Sequence, residues 1–364
     1  FTNGDNDTFP LWYLQDVEGV RPDVRIANLS LLNTPWYIKQ LKNNEPHGAK
    51  KIDFTFSDLE IDQIGPMRWE PQTIQLPVPD DVIQKFGVKD TSVIRNKKIS
   101  WLMQPGAQFG DVSALRVQDI VVLNMIQSNK WKRPIYFAVT CSDDSKLSMD
   151  DYLQMEGMAQ RIVPQKNPDP SLEFINEPIM RKQLFEEPEG YSKEYQPGFK
   201  FRGLNDSNIF FDENHERLTQ NYRNAFIRLA IHYLNGEKNT QKVIETLGMM
   251  EKRIPRNVIS MDYRIKHDVA NLYNLTGDNK KYNEYAEEVI EAAKNAIKLN
   301  PMDVSSWYNP YRLLLTHYEN MGRYNDAIEL LLQLKTYIPN DPGIDSLISS
   351  FRKMSGGQKP EIEK

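Results

Sequence analysis

At 364 residues, with 45 Lys and Arg against 50 Asp and Glu and a formal net charge of −5, the chain has the length of two domains and no basic excess. That balance argues against nucleic acid as the main partner, because neutralising a phosphate backbone needs clustered Lys and Arg. Hydrophobic residues make up 40%, enough for a real core. The longest apolar core run, Ile120-Val121-Val122-Leu123, falls far short of the roughly 18 to 20 residues that cross a bilayer, so the chain is expected to be soluble.

Residues 1 to about 165 read as α/β. Asp7-Thr8-Phe9-Pro10 supplies an N-cap candidate with Pro in the first turn, and a helix is expected from there to about Glu18. Gly19-Val20-Arg21-Pro22 breaks it, and Val24 to Leu32 follows as a strand, partly alternating and then continuously apolar. Thr34-Pro35 starts a second helix, Trp36 to about Lys42, with Thr34 as N-cap. Strand and helix alternating at this spacing point to βαβ units and a parallel sheet.

Residues 45–112 are an irregular insertion with short β-prone runs at Lys51 to Phe56, Gln72 to Leu76 and Lys98 to Met103. A helix is predicted from about Val117 to Ser128, a buried strand at Ile135 to Thr140, a short helix at Asp150 to Gln154 and a further strand at Gly157 to Val163. Cys141, the single cysteine, excludes an intrachain disulfide and a multi-Cys zinc site. It suits a small buried hydrophobe at a strand end.

Residues 166–215, rich in Pro, Glu, Lys and Asn, are a connector. From 216 to 356 the period is helical and repeats, best at Tyr311, Leu314, Leu315, Tyr318, Gly322, Tyr324, Ala327, Leu331, Leu334 and Pro339. That spacing matches the tetratricopeptide pattern. Two weaker copies precede it, Ile344 to Met354 fits a capping helix, and residues 357–364 are expected to be a disordered tail. The expected fold class is an α/β domain with a mainly parallel sheet, followed by an all-α tetratricopeptide-like helical solenoid.

The acidic turn Asp5-Asn6-Asp7 is the first candidate for chemistry. Two carboxylates and an amide ahead of a helix can hold a hard cation or form a polar ligand pocket at the carboxyl end of a parallel sheet. They can equally do no more than close helix amides. Trp12, Trp36 and Tyr37, near Gln15, Arg25 and Asn28, can stack on a sugar ring, although core packing explains them as well. Arg21, Arg25 and Arg133 are expected to pair with the acidic turn. His47, His215, His232, His267 and His317 form no zinc-hydrolase spacing, and there is no Gly-x-Ser-x-Gly elbow or GxGxxG loop. No catalytic residue, metal or cofactor is expected. The low-specificity ligand set is Asp5, Asn6, Asp7, Trp12, Gln15, Arg25, Asn28 and Trp36.

Asn3-Gly4-Asp5-Asn6-Asp7-Thr8-Phe9-Pro10-Leu11-Trp12-Tyr13-Leu14-Gln15, Asp23-Val24-Arg25 and Asn28 to Tyr37 resemble a family of large bacterial membrane proteins. The family is protein O-mannosyltransferase-like, common in Bacteroidetes and long grouped as a domain of unknown function. Arg133-Pro134-Ile135-Tyr136-Phe137-Ala138 and Tyr152 to Pro164 look like later landmarks of the same region, so the resemblance covers roughly residues 1 to 165. It implies a multi-span membrane glycosyltransferase that uses a lipid-linked sugar donor, with a large soluble part facing the periplasm. Its catalytic acid lies between early membrane helices, so no catalytic role transfers to a residue of this chain. The resemblance also implies a cut just after the last span, with the membrane portion of the same polypeptide as one partner. An acceptor protein or peptide on the helical repeats would be the other. A scaffold without enzymatic role and a carbohydrate-binding domain remain as alternatives.

Overall fold

The computed structural model describes residues 1–304 and 306–356, and the tail expected at 357–364 lies outside the described residues. The chain divides into two compact units, Phe1–Arg202 and Gly203–Lys364.

The first unit begins with helix α1 (Asp5–Asp16) and, after a 3-10 turn at Leu31–Asn33, helix α2 (Pro35–Asn43). Short elements follow: α3 (Asp58–Asp62), β1 (Met67–Arg68), β2 (Gln72–Pro77), α4 (Asp80–Phe86), α5 (Thr91–Asn96), β3 (Lys98–Met103), β4 (Ala107–Phe109) and β5 (Val112–Leu115). Then come α6 (Val117–Asn129), β6 (Tyr136–Ala138), β7 (Leu153–Met155), β8 (Ala159–Ile162) and α7 (Glu177–Phe185). Local chemistry explains several starts. Ser57 and Glu60 close a capping box on α3, and the Asp90 carboxylate accepts from Ser92 N and Val93 N at the head of α5. Helix α6 buries residues on every side, apolar Val121, Val122 and Ile126 together with Gln118 and Asn124, the mark of a central helix. Its buried amides are satisfied: Asn33 Nδ2 donates to Gln118 Oε1 at 3.0 Å, and Thr55 N donates to Asn124 Oδ1 at 3.1 Å.

The expected α/β domain with a mainly parallel sheet does not form. Three small sheets take its place, in the orders β1-β5-β4, β2-β3 and β6-β8-β7, and every strand pairing in them is antiparallel. Parallel pairing among the described residues is confined to the isolated bridges Thr2–Asn28 and Met155–Ile175. The stretch from Val24 to Leu32, expected as a strand, shows why. Thr2 N donates to Ala27 O at 3.0 Å and Leu29 N to Thr2 O at 2.9 Å, which is a single bridge. The Asn28 side chain then accepts from Leu31 N at 2.9 Å and turns the backbone into the 3-10 turn. A short polar side chain here offers the backbone an alternative to the ladder.

Two smaller expectations also change. No strand forms at Lys51 to Phe56, and Asp150–Tyr152 is one 3-10 turn leading into β7 rather than an α-helix through Gln154. The runs at Gln72, Lys98 and Val117 form close to where they were expected, as β2, β3 and α6.

The second unit is helical: α8 (Glu213–Asn235), α9 (Thr240–Arg253), α10 (Tyr263–Thr276), α11 (Asn279–Leu299), α12 (Pro310–Asn320), α13 (Tyr324–Tyr337) and α14 (Pro342–Gly356). Asp212, Asn239, Asp262, Asp278 and Asn309 each cap the helix that follows with a side-chain oxygen. Consecutive helices pack as pairs, α8 on α9, α10 on α11 and α12 on α13. The residues that suggested a repeat, Tyr311, Leu314, Tyr318, Ala327 and Leu331, are buried in one cluster. What stands is a region of paired helices, without a demonstrated tetratricopeptide identity.

Two buried polar features hold this unit. The Arg223 side chain is fully buried and donates to the carbonyls of Ile259 at 2.6 Å and Ser260 at 2.7 Å, tying α8 to the α9–α10 loop. His267 Nδ1 and His317 Nε2 share a hydrogen bond of 3.0 Å, with Asn271 at the far side of His267 and the Tyr282 hydroxyl at the far side of His317. Burial pulls His267 down to about 4 and His317 down to about 3, with the charge of Arg312 adding to the first and His267 to the second. Both imidazoles are therefore neutral in the fold. The unfolded chain takes up these protons near pH 6.5, so stability must fall as the pH drops from about 6.5 towards 4. A thermal-unfolding series should show the second unit losing on the order of 2 kcal/mol between pH 7 and pH 5. His317→Gln should flatten that slope, and an unchanged slope would refute the assignment.

Candidate functional site

The acidic turn sits at the head of α1. Gly4, at φ 86°, is the N-cap without side-chain help, and Asp5 and Asn6 are exposed with no side-chain hydrogen bond among the described residues. Asp7 accepts from the Thr140 hydroxyl and, at 3.4 Å, from Asn3 N, so it fastens α1 to the segment after β6. Asn28 is only 2% exposed. Its Nδ2 donates to Thr8 Oγ1 at 2.7 Å and Gly4 O at 3.3 Å, and its backbone N donates to the Tyr37 hydroxyl at 3.1 Å. Thr2 Oγ1 lies 2.8 Å from Thr8 Oγ1 and completes a polar knot beneath the helix.

The aromatic candidates do not join this knot. Trp12 stacks on Phe9 with ring centroids 5.6 Å apart, and Trp36, 57% exposed, meets Tyr37 edge-on. Among the described residues, no group of three or more His, Cys, Asp and Glu is placed to hold a metal ion. Cys141 is buried, and burial pushes its thiol up.

Chemistry converges elsewhere in the first unit, in a cleft of about 630 Å³ lined by Arg21, Arg25, Arg133 and Arg161, with Asp23, Glu156, Tyr136 and Tyr195. Of the sequence candidates, only Arg25 lines it. Gln15 holds its rim: Nε2 donates to Arg21 O at 2.9 Å and Val24 O at 2.8 Å. That support fits the backbone, because Arg21 adopts φ 44°, a left-handed conformation that costs a residue with a side chain on the order of 1 kcal/mol. The expected pairing of Arg21, Arg25 and Arg133 with the acidic turn does not occur. Arg21 grips Asp23 with two bonds, Nε to Oδ1 at 2.8 Å and Nη2 to Oδ2 at 2.9 Å, which holds the Asp23 carboxyl below its ordinary value.

Arg25 Nη1 donates to Asn44 O at 2.6 Å, and Arg133 Nη1 donates to Lys51 O at 3.2 Å and Lys50 O at 3.4 Å. Burial lowers the Arg25 guanidinium from its ordinary value and the nearby charge of Arg133 adds to that, while Tyr37 and Glu45 partly offset it. At the back of the cleft, the buried Glu156 carboxylate accepts from the Tyr136 hydroxyl and from Asn176 Nδ2, both at 2.8 Å, with Arg161 Nη1 at 3.6 Å. Burial and this acceptor hold the Tyr136 phenol well above its ordinary value. The Arg161 guanidinium lies 4.9 Å from the centroid of the Phe86 ring. Gly157, at φ 82°, follows Glu156; a Cβ there would come within 2.9 Å of Phe199 and 3.3 Å of Gln183.

Residue-type spacing did not reveal Arg161, Glu156, Tyr136 or Tyr195 as one site, because they come together from β6, the β7–β8 turn, β8 and the segment after α7. The quoted motifs held the signal: Asp23-Val24-Arg25, Arg133 to Ala138 and Tyr152 to Pro164 contain most of the lining.

Asn28→Ala should leave the Thr8 hydroxyl and Leu31 N short of partners and destabilise the first unit by about 2–3 kcal/mol in urea unfolding, whereas Asp5→Asn should change little. Gln15→Leu should speed amide exchange from Arg21 to Arg25 while leaving exchange in the helical unit unchanged. Equal exchange in that loop would show that Gln15 does not hold the rim.

No curated protein and no solved structure matches the chain. A family model described as TMEM260-associated domain 2 matches residues 1–64 and 70–177, a span that contains Asp5 to Trp36 and every arginine of the cleft. Residues 1–177 are thus similar to TMEM260-associated domain 2, a domain associated with TMEM260-type O-mannosyltransferases.

Proposed function

We propose that the chain is the periplasmic C-terminal portion of a membrane-embedded protein O-glycosyltransferase using a lipid-linked sugar donor, and that this portion holds or selects the acceptor rather than catalysing transfer. The match over residues 1–177 carries the reading. Among the described residues, no helix is long and apolar enough to cross a membrane, so on this reading the membrane helices and the catalytic acid belong to the rest of the polypeptide.

The chemistry of the cleft supports a binding role. Glu156 is engaged by Tyr136 and Asn176, and Asp23 is clamped by Arg21. Neither carboxylate is placed as a free acid or base, whereas the arginines and tyrosines suit recognition. The paired helices of the second unit are proposed as the surface for the acceptor protein or peptide.

Two measurements test the reading. The isolated chain should transfer no sugar from a lipid-phosphate sugar to an acceptor peptide, and detectable transfer would overturn the non-catalytic role. In the full-length protein, deleting residues 213–356 should raise the acceptor KM about tenfold while leaving donor KM unchanged. Loss of donor use without a change in acceptor KM would count against acceptor selection.

A further inference from the structure

The arginine cleft is built with more positive charge than the protein uses. Four guanidiniums face two carboxylates there, and the two ion pairs, Arg21 with Asp23 and Arg161 with Glu156, account for both carboxylates. Arg25 and Arg133 form no ion pair among the described residues. Each spends Nη1 on backbone carbonyls of the 44–51 segment, which explains how the side chains are anchored. Their Nε and Nη2 groups have no hydrogen-bond partner among the described residues, so each retains donors of its planar fork. A tie to a loop carbonyl needs neither a second like charge nor a cleft of about 630 Å³, a volume in the usual range for small-ligand sites.

Tyr195 adds a third donor. Its hydroxyl oxygen accepts from Gln183 Nε2 at 2.9 Å, and its own proton has no acceptor among the described residues. The other phenol differs, since Tyr136 already donates to Glu156.

We infer that this cleft is an oxyanion-binding site, taking a small ligand that carries a phosphate or carboxylate group between Arg25 and Arg133, with the Tyr195 hydroxyl as a further donor. Two guanidiniums line one recess, neither within ion-pair distance of a carboxylate among the described residues. Glu45 acts on Arg25 and Asp23 on Arg133 only through their charge, so both forks remain able to pair bidentately with such a group. An anion between them offsets the like-charge repulsion between Arg25 and Arg133. Asp23 opposes binding, but its charge is already compensated by Arg21. The inference stands apart from the transferase reading, because it requires neither sugar transfer nor the second unit.

The test is calorimetric titration of the purified chain with phenyl phosphate and with benzoate, which differ in the oxyanion, and with benzyl alcohol as the neutral control. Phenyl phosphate or benzoate should bind, with affinity falling as salt rises, and benzyl alcohol should not. The arm that binds tighter identifies the oxyanion. Arg25→Gln and Arg133→Gln should each weaken binding at least tenfold, Tyr195→Phe about threefold, and Asp23→Asn should strengthen it. If the Gln variants do not fold, Arg→Lys variants and the Arg Nε–H resonances of the unaltered protein decide. Shifts at Arg25 and Arg133 on adding phenyl phosphate support the site. Flat titrations with both anions, or binding that is unchanged in the Arg25→Gln/Arg133→Gln protein, would overturn it. Neither outcome bears on whether the parent protein glycosylates.

Discussion

The arrangement of the first unit depends on one buried amide. Asn28 donates to Thr8 and to Gly4 O, receives Leu31 N, and leaves its backbone N on Tyr37. Each bond has a structural consequence: the first two seat the head of α1, the third ends the would-be strand, and the last docks α2. A buried amide left without these partners would cost more than most single apolar contacts contribute, so the knot is either complete or the local fold changes. Helix α1, once seated, brings Gln15 to the carbonyls of Arg21 and Val24. The loop that presents Arg21, Asp23 and Arg25 is therefore set by an amide a helix length away.

The charges in that cleft follow a different logic. Where carboxylates are present they are fully engaged, by two guanidinium bonds at Asp23 and by a phenol and an amide at Glu156. Where the positive charge is in excess, backbone carbonyls hold the guanidiniums in place without neutralising them. Such a recess keeps its field and its geometry at once, which is what recognition of an anion requires.

In the helical unit buried polar side chains are likewise tied to partners on other elements. Arg223 donates to carbonyls of the α9–α10 loop, and His317 is completed by His267 and Tyr282. These contacts join helices of neighbouring pairs. They add specificity to an apolar interface that helical periodicity alone would leave free to slide.

Much of the local structure was legible in the sequence. The runs that became α2, β2, β3, α6 and the paired helices have the periodicity, caps and breakers that short-range physics demands. The resemblance of residues 1 to about 165 agrees with the family match over 1–177. Strand direction was not legible, because runs such as Val24 to Leu32 and Ile135 to Thr140 look the same in either direction. The Asn28 side chain and three short antiparallel sheets decided against a parallel one. The site was legible only in part. Arg25 and Gln15 stood out as polar residues near aromatics, but Glu156, Arg161 and Tyr195 reach the cleft from distant segments. The sequence by itself determined where the long periodic helices α6 and α8 to α13 form, since those are interactions within one or two turns. The expected caps at Asp7 and Thr34 supply no side-chain cap bond, and α3, α4, α5 and α7 form in segments read as irregular. Only the tertiary structure decided which arginines keep unpaired charge, because that depends on which carboxylates arrive beside them from far along the chain.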